Sequence, residues 1–257
     1  GEGDPIPRIH GRMRGAGQVI WASQFREVVS ESGGGGGKGL SQSPSPTIRN
    51  YSYRVSLAVA LCEGEISGIG RVWADGAELA PEALGLRVYT GAVDQLPDPK
   101  IEAVEGAGSV PAYRGTAYVV FEELALSTYG NRLPQLSFEV FRPLADPDTA
   151  EGLTRAVTLI PASGEFTYAT DAIRKGGNGD SSAENLNATP GSPDMIVALD
   201  RLQAMAPKVE SVSLVVAWFG SDLRCGSCAI QPGVEVAEKA SSPRTWSVNG
   251  VSRAGAH

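Results

Sequence analysis

The most constraining feature of the sequence is a strict alternation of side chains from residue 51 to residue 62. Large apolar residues occupy every odd position, and small or polar residues fill the even positions. Because successive side chains of a β-strand point to opposite faces, this pattern predicts a long strand with one large apolar face. The small face is predicted to allow close approach of another subunit, although the pattern leaves open which face meets that neighbour. The small face includes Ser56, Ala58 and Ala60, and the large face consists of Tyr51, Tyr53, Val55, Leu57, Val59 and Leu61.

Turn sequences separate this strand from further predicted strands. Glu63-Gly64-Glu65 is predicted to be a tight turn, and Asp75-Gly76 ends the strand that follows it. Gly130-Asn131 is predicted to reverse the chain again. With 32 glycines and 17 prolines in 257 residues, the composition favours short strands joined by turns over a helical bundle. The further strands are predicted at 86–91, 117–124 and 136–143, with a short helix between the first two.

The amino-terminal part is predicted to contain two strands and a long loop. Residues 6–23 predict two strands around a turn at 15–17, and the polar character of the first one places it at a sheet edge. Residues 31–46 contain five consecutive glycines and several serines and prolines, which predicts a flexible loop. This loop is not a phosphate-binding loop, because Gly39 stands where the motif requires Ser or Thr after Lys38.

The pattern changes in the carboxyl-terminal third. Residues 154–170 predict two more strands around Gly164, so that residues 1–175 form a β-rich domain. The polar, glycine-rich residues 176–191 are predicted to be a linker. A helix with Ser192 at its N-cap and an apolar run at 212–220, typical of a strand buried on both faces, then predict the beginning of an α/β unit over 192–257.

Bulk composition excludes several classes of function. The net charge is −7 and there is no run of basic residues, which argues against a nucleic-acid-binding surface as the main function. The sequence contains no run of 18 apolar residues, so it predicts no membrane span. The first residues lack the apolar core of a signal peptide. Three cysteines are too few for a disulfide framework in a chain of this size.

The candidate catalytic and metal-binding groups are sparse. Glu63 and Glu65 lie in one turn, where acidic side chains are usually solvated rather than paired across a cleft. The Cys225–Cys228 spacing is typical of metal and redox sites, but the only further candidates are Cys62 and two histidines, His10 and His257. We therefore predict no catalytic residue, no metal site and no cofactor.

Several phrases resemble a known family. They are QVIWASQFREV at 18–28, YSYRVSLAVALCEGEISGIGRVWADG at 51–76, and YGNRLPQLSFEVFRP at 129–143. Together with residues 87–124, they resemble the large baseplate hub protein, or megatron, of gene transfer agents and related siphophages. That family is related to the host-specificity and hub proteins at the tail tips of other tailed phages. The resemblance implies a mainly β, α+β chain with hub-type domains.

The resemblance also implies partners and a location. Three copies would form a hub at the tail tip, or baseplate, of a virion made in a bacterial host. The hub would contact a distal tail protein, a second hub protein and the host cell surface, with DNA only as passing cargo. Residues 192–257 resemble the start of a TIM-barrel-like insert, but a complete barrel needs about 250 residues. Asp222 is the only local acid in a barrel-like position, so we predict a structural protein that is not an enzyme.

Two alternatives to the structural reading remain open at this point. A cell-wall glycosidase would use the barrel-like part and would need two carboxylates at a cleft. A carbohydrate-binding module would use exposed tryptophans, although a tryptophan is more often part of a core or an interface. The sequence offers Trp21, Trp73, Trp218 and Trp246.

Overall fold

The computed structural model describes residue 3 and residues 5–32, 48–79, 85–144, 148–176 and 181–256. Its regular structure is mostly β-strand, which confirms the predicted mainly β fold. The chain divides into two compact units, Gly1–Arg142 and Pro143–His257. The predicted flexible loop at 31–46 lies, from residue 33 onward, outside the described residues.

The first unit contains two antiparallel sheets, here called sheet I and sheet II. Sheet I has the strand order β1-β9-β5-β6, and sheet II has the order β2-β4-β8-β7, with β3 also pairing with β4. The strands of sheet I are β1 Gly11–Ala16, β5 Gly68–Ala74, β6 Ala77–Leu79 and β9 Leu136–Arg142. The strands of sheet II are β2 Gln18–Ala22, β3 Arg26–Ser32, β4 Ile48–Glu63, β7 Leu86–Tyr89 and β8 Thr116–Ala125.

The core of the first unit lies between the two sheets. The odd-numbered side chains of β4 from Val55 to Leu61 are buried there, which confirms the predicted alternation. They pack with Phe121 of β8 and with Phe138 and Val140 of β9. Because each fully buried side chain of this size contributes about 1.5–3 kcal/mol, this apolar layer is the main stabilising element of the unit.

The opposite face of β4 is covered by a helix of the same chain. Helix α1, Pro99–Glu105, begins at Asp98, whose carboxylate accepts hydrogen bonds from the backbone N–H groups of Lys100 and Ile101. Ile101 packs with Ala58, and both are buried. The sequence pattern left open which face of β4 meets a neighbour, and the structure shows that the small face is covered from within the same chain. The small side chains let the chain's own helical segment approach the sheet closely.

The passage from β1 to β2 differs from the predicted turn. The two strands belong to different sheets, so residues 15–17 carry the chain from sheet I to sheet II. At this crossing a Cβ on Gly17 would collide with the side chain of Val59 and lie 2.9 Å from the ring of Phe138. The crossing therefore needs a residue without a side chain. The prediction that β1 is an edge strand is confirmed.

The second unit is built around one β-α-β element. Strands β10, Ala156–Leu159, and β12, Ser211–Leu214, pair in parallel, and helix α3, Asp194–Met205, lies between them in sequence. This arrangement agrees with the predicted α/β unit. The remaining elements are α2 Ala150–Leu153, β11 Arg174–Gly176, β13 Phe219–Gly220, β14 Ile230–Gln231, β15 Ala240–Ser242, β16 Ser247–Val248 and β17 Val251–Ser252.

Several local predictions for the second unit differ from the structure. The second strand expected after Gly164 is a turn, since Thr167 Oγ1 hydrogen-bonds both the N–H and the carbonyl of Ala162. Pro193, not Ser192, occupies the N-cap position of α3, and its side chain makes no capping hydrogen bond. The strand expected at 212–220 ends at Leu214, and residues 211–220 are exposed. The sheet that contains β12 has two paired strands, and no other element in the described part of the unit buries residues 211–220.

The predicted domain boundaries fall at different places from the division of the chain. β10 pairs with β12, which places residues 156–159 in the second unit and not in a domain that ends at 175. Within the predicted linker 176–191, residues 177–180 lie outside the described residues, whereas 181–191 pack into the second unit. The buried Asn185 accepts a hydrogen bond from Ile173 N–H and donates to the carbonyls of Ala169 and Asp171.

The crossing between the sheets gives the first testable prediction. We expect Gly17→Ala to destabilise the protein by about 1–3 kcal/mol, because the added methyl group overpacks the core at Val59 and Phe138. Gly68→Ala is the matched control, since a Cβ there meets nothing within 4 Å. We expect its effect to stay within about 0.5 kcal/mol. Urea denaturation of both variants measures the difference, and equal effects would contradict the packing argument.

Candidate assembly surfaces

An arginine face covers the outer side of sheet I. It consists of Arg12, Arg14 and Arg71, which lie over Trp73 and Glu139. Arg12 Nε donates to Glu139 Oε1 at 2.7 Å, and the backbone N–H of Arg71 donates to Glu139 Oε2 at 3.1 Å. The guanidinium of Arg14 lies 4.0 Å from the centre of the Trp73 ring. The strands thus place three cations on one flat surface.

The arginine face has an excess of positive charge. Burial raises the pKa of Glu139, but hydrogen bonds from the Arg71 backbone, Arg12 and Arg71 outweigh it and lower the pKa below its ordinary value. Glu139 therefore remains ionised and is shared by two arginines. Arg14 has no carboxylate partner among the described residues. On a chain with net charge −7, this surface suits an anionic group on a partner.

A cleft of about 610 Å³ opens next to the arginine face, where β1 crosses to β2. Its floor is apolar and includes Leu57 and Val59, while half-exposed Val19 and the partly exposed Leu133 stand at its sides. Arg14 lines one part of the cleft. We refer to this site as the sheet-crossing cleft.

An acidic group at the same cleft is already paired. Arg132 Nη2 lies 2.8 Å from Asp75 Oδ2, and the backbone N–H of Gln135 also donates to this carboxylate. Hydrogen bonds from Arg132 and Gln135 lower the pKa of Asp75. Asp75 therefore secures the loop at the cleft, while Arg14 keeps its charge available to a partner.

A second cavity, of about 630 Å³, lies in the second unit at the carboxyl ends of β10 and β12. Tyr168 O–H donates to the carbonyl of Val215 at 2.6 Å and so connects the segments that follow the two strands. Trp218 lines the cavity and is 47% exposed, whereas Trp246 is buried in the core of the unit with Phe166. Trp246 also lines this cavity, so Trp218 is distinguished by the exposure of its side chain and not by its position alone.

Glu165 lines this cavity, but its carboxylate is saturated by cations. Burial raises the pKa of Glu165, but hydrogen bonds from Arg253, the Glu235 backbone and Lys239 outweigh this effect and lower the pKa to about 2. Arg253 Nη1 lies 3.0 Å from Oε1, and Lys239 Nζ lies 3.3 Å from Oε2. A carboxylate in this state cannot donate a proton at neutral pH, so its role here is structural. Sequence reasoning missed this network, because its members are separated by up to 88 residues.

The acid predicted at the barrel-like position has a local partner. Hydrogen bonds from the side chain and the backbone of Arg224 lower the pKa of Asp222. Arg224 Nη2 lies 2.6 Å from Asp222 Oδ2. The geometry of Asp222 is therefore that of an exposed ion pair, and neither it nor Glu165 has the raised pKa of a general acid.

The cysteines lie in different surroundings. Cys62 is buried and accepts a hydrogen bond from Ile9 N–H, whereas Cys225 is exposed at the start of a single 3-10 turn that ends before Cys228. Within the described ranges, no group of three or more His, Cys, Asp and Glu side chains is arranged to hold a metal ion. The geometry therefore gives Cys225 and Cys228 no third ligand in the part of the chain that is described.

The other predicted candidates lie on the surface or beyond the described ranges. Glu63 and Glu65 are exposed on their turn, and His10 is exposed just before β1. His257 lies outside the described residues. No helix in the described ranges is long and apolar enough to cross a membrane.

Comparison with known proteins gives one informative match. No protein-family model matches the sequence, and the search of curated proteins found no match. A search of solved structures matches a protein in the virion of a native gene transfer agent (GTA) particle. The chain is similar to a gene transfer agent virion protein. The sequences are 49% identical, the match covers 64% of this chain and 34% of the virion protein, and the TM-score is 0.47.

The match is informative as a sequence relationship. This chain spans about a third of the length of the virion protein. The identity of 49% over 64% of this chain is a close likeness in sequence.

The charge network of Glu165 gives a pH-dependent prediction. Its folded pKa of about 2 is below its ordinary value of 4.5, so its stabilising contribution is complete above pH 4.5 and is lost as the pH falls towards 2. We expect Glu165→Gln to destabilise the second unit by about 3 kcal/mol at neutral pH, since two cations lose their buried partner. The free energy of unfolding of the second unit is measured for the wild type and for Glu165→Gln by hydrogen exchange in urea, at a series of pH values from 7 downward.

The control for this experiment is Glu235→Gln. The Glu235 side chain is 62% exposed and lies 3.4 Å from Lys239 Nζ, so we expect a small effect that changes little with pH. A Glu165→Gln effect that stays constant between pH 4.5 and pH 2 would refute the assignment.

Proposed function

We propose that this protein is a structural component of a phage-like particle and that it belongs to the hub of the tail tip. The observation that carries the proposal is the sequence likeness. The phrases at 18–28, 51–76 and 129–143 resemble the hub family, and the sequence is 49% identical to a gene transfer agent virion protein over 64% of this chain. The likeness supports a place in a virion and association with other virion proteins.

The organisation of the first unit supports an assembly role. Its two sheets form a continuous apolar core, while its outer surface carries the arginine face and the sheet-crossing cleft. Rigid β structure with charged and apolar patches is suited to joining subunits. Two of the acids that line the cavities, Asp75 and Glu165, by contrast have pKa values lowered by arginine or lysine and stay ionised. We therefore infer a structural rather than an enzymatic role.

The finer assignment concerns partners and position. We propose that three copies form a hub between the tail tube and the tip, in contact with a distal tail protein and a second hub protein. The assembly would define the exit channel, so that DNA passes through it as cargo, and it would face the host cell surface. The resemblance of residues 51–76 and 129–143 to hub proteins supports this placement.

For the carboxyl-terminal part, we propose the beginning of a TIM-barrel-like domain. The parallel pairing of β10 with β12 across α3 is the repeating element of such barrels. Parallel strands are normally covered on both faces, and the exposed apolar side chains of Val215, Val216 and Phe219 are consistent with a surface that further layers would bury.

Carbohydrate binding is the second candidate function. The observation that favours it is the cavity at the ends of β10 and β12, where the exposed ring of Trp218 adjoins Tyr168. An aromatic ring with one open face can bury the apolar face of a sugar ring. The glycosidase alternative has less support, because Glu165 and Asp222 are both held ionised by cations.

The proposed position in the particle can be tested directly. We expect antibodies against the folded, purified chain to label purified particles at the tip end of the tail only. Gold-labelled electron microscopy measures this distribution, and preadsorption of the antibody with the purified chain is the control. Label on the capsid would overturn the proposal. The proposal would also fail if the particles carried no label and their mass spectra showed no peptides of this protein.

The carbohydrate alternative makes a different prediction. If the second unit binds glycans, Trp218→Ala should weaken binding to peptidoglycan fragments or surface polysaccharide at least tenfold, because the ring supplies the stacking surface. Isothermal titration measures the affinity. Trp21→Phe, which changes a tryptophan that packs near Ala58 in the first unit, is the control. Absence of binding by the wild-type chain would exclude this candidate.

A further inference from the structure

A short loop between β7 and α1 is held rigidly by one buried side chain. Gln95 accepts a hydrogen bond from Gly91 N–H at 2.7 Å and donates to the carbonyls of Ala112 and Tyr113. Arg114 Nε also donates to the carbonyl of Gln95 at 3.0 Å. We call residues 91–98 the knob loop. Its backbone is fixed by contacts that usually belong to a core.

The knob loop presents two apolar side chains to solvent. Val93 is 85% exposed and Leu96 is 70% exposed, the highest values among the large apolar side chains described in the first unit. A mobile loop with such side chains would lose conformational entropy on binding, but a loop already fixed by Gln95 avoids most of that cost. Fixed, protruding apolar groups can be buried against a partner, because the fully buried core of an interface is more apolar than its rim.

The sheet-crossing cleft provides a complementary surface on the same unit. The knob loop follows β7, whereas the cleft is lined by Val19 of β2, and these strands form the two opposite edges of sheet II. Three strand spacings, on the order of 14 Å, separate the edges. A knob and a cleft at opposite edges of one sheet cannot meet within a single copy. They can meet between successive copies arranged head to tail.

Charge complementarity favours the same contact. Asp94, between the two apolar knobs, is exposed and has no ionic or hydrogen-bond partner within the described ranges. Arg14, at the cleft, has no carboxylate partner among the described residues; its guanidinium lies 4.0 Å from the centre of the Trp73 ring, and its Nε donates to Ser137 Oγ at 3.0 Å. Docking the knob loop in the cleft would place an acid and a base together beside an apolar contact, as in electrostatically complementary interfaces.

We propose that the knob loop of one copy binds the sheet-crossing cleft of a second copy, with Val93 and Leu96 against Val19 and Leu133, and with Asp94 paired to Arg14. Because the two surfaces differ, the contact is heterologous, and repetition around an axis closes a ring. The inference deepens the proposed hub function and rests on it for the biological meaning of the ring. The contact itself is argued from the geometry of the first unit.

A charge-swap experiment on the full-length chain tests this contact. We expect Asp94→Arg and Arg14→Asp each to weaken self-association at least tenfold, and the doubly substituted chain to recover to within about threefold of wild type. Sedimentation equilibrium over a dilution series measures the association constants. Asp94→Asn provides a second test that leaves Arg14 and its packing on Trp73 intact, and we expect it to weaken association as well.

The apolar part of the contact is tested separately. Val93→Ser combined with Leu96→Ser should also weaken self-association at least tenfold, whereas Leu153→Ser should leave it unchanged. Leu153 is the matched control, because it is 61% exposed and lies in the second unit. A wild-type chain that stays monomeric at its highest soluble concentration, or one that associates equally well in all these variants, would overturn the proposal.

The outcome can be separated from that of the hub assignment. Antibody labelling of the tail tip tests whether the protein belongs to the hub, and it does not depend on the knob loop. Label at the tip together with unchanged association of the Asp94 and Leu96 variants would reject this contact and keep the proposed function. If each single charge substitution weakens self-association and the double substitution restores it, but no label appears at the tip, the contact is retained and the hub assignment is rejected.

Discussion

The first unit depends on the burial of β4 on both of its faces. Leu57 and its odd-numbered neighbours fill the core between the sheets, while Ala58 lies under Ile101 of α1. A slip of one residue in the pairing of β4 with β8 would exchange these two sets and place large side chains where the helix must approach. The pairing of Leu57 with Phe121 therefore fixes the core, the helix and the loop that precedes the helix.

Buried carboxylates complete this framework. Asp98 is fully buried, and it accepts hydrogen bonds from Arg87 at 2.8 Å and from the Tyr89 hydroxyl at 2.8 Å, in addition to capping α1. Burial raises its pKa, but these partners together with Ile101 N–H lower it below the ordinary value. Glu139 and Glu165 follow the same principle. Each acid is kept charged by cations and fixes segments that are distant in sequence.

The two units differ in how completely they bury their apolar side chains. The first unit encloses its core and leaves apolar side chains at defined places, such as Val93 and Leu96. The second unit leaves the run from Leu214 to Phe219 exposed beside a two-stranded parallel sheet. Both features are consistent with a protein whose surfaces are completed by further protein.

The sequence by itself determined the long strands of the first unit, the main turns and the mainly β class, because alternation and turn chemistry are local properties. The β5–β6 turn at Asp75-Gly76, the reversal at Gly130-Asn131 and helices α1 and α3 could all be predicted. Only the tertiary structure decided that β1 and β2 enter different sheets and that Ala58 meets a helix of its own chain. It also decided that Glu165 meets Arg253. These outcomes depend on contacts between segments far apart in the chain, which local patterns do not specify.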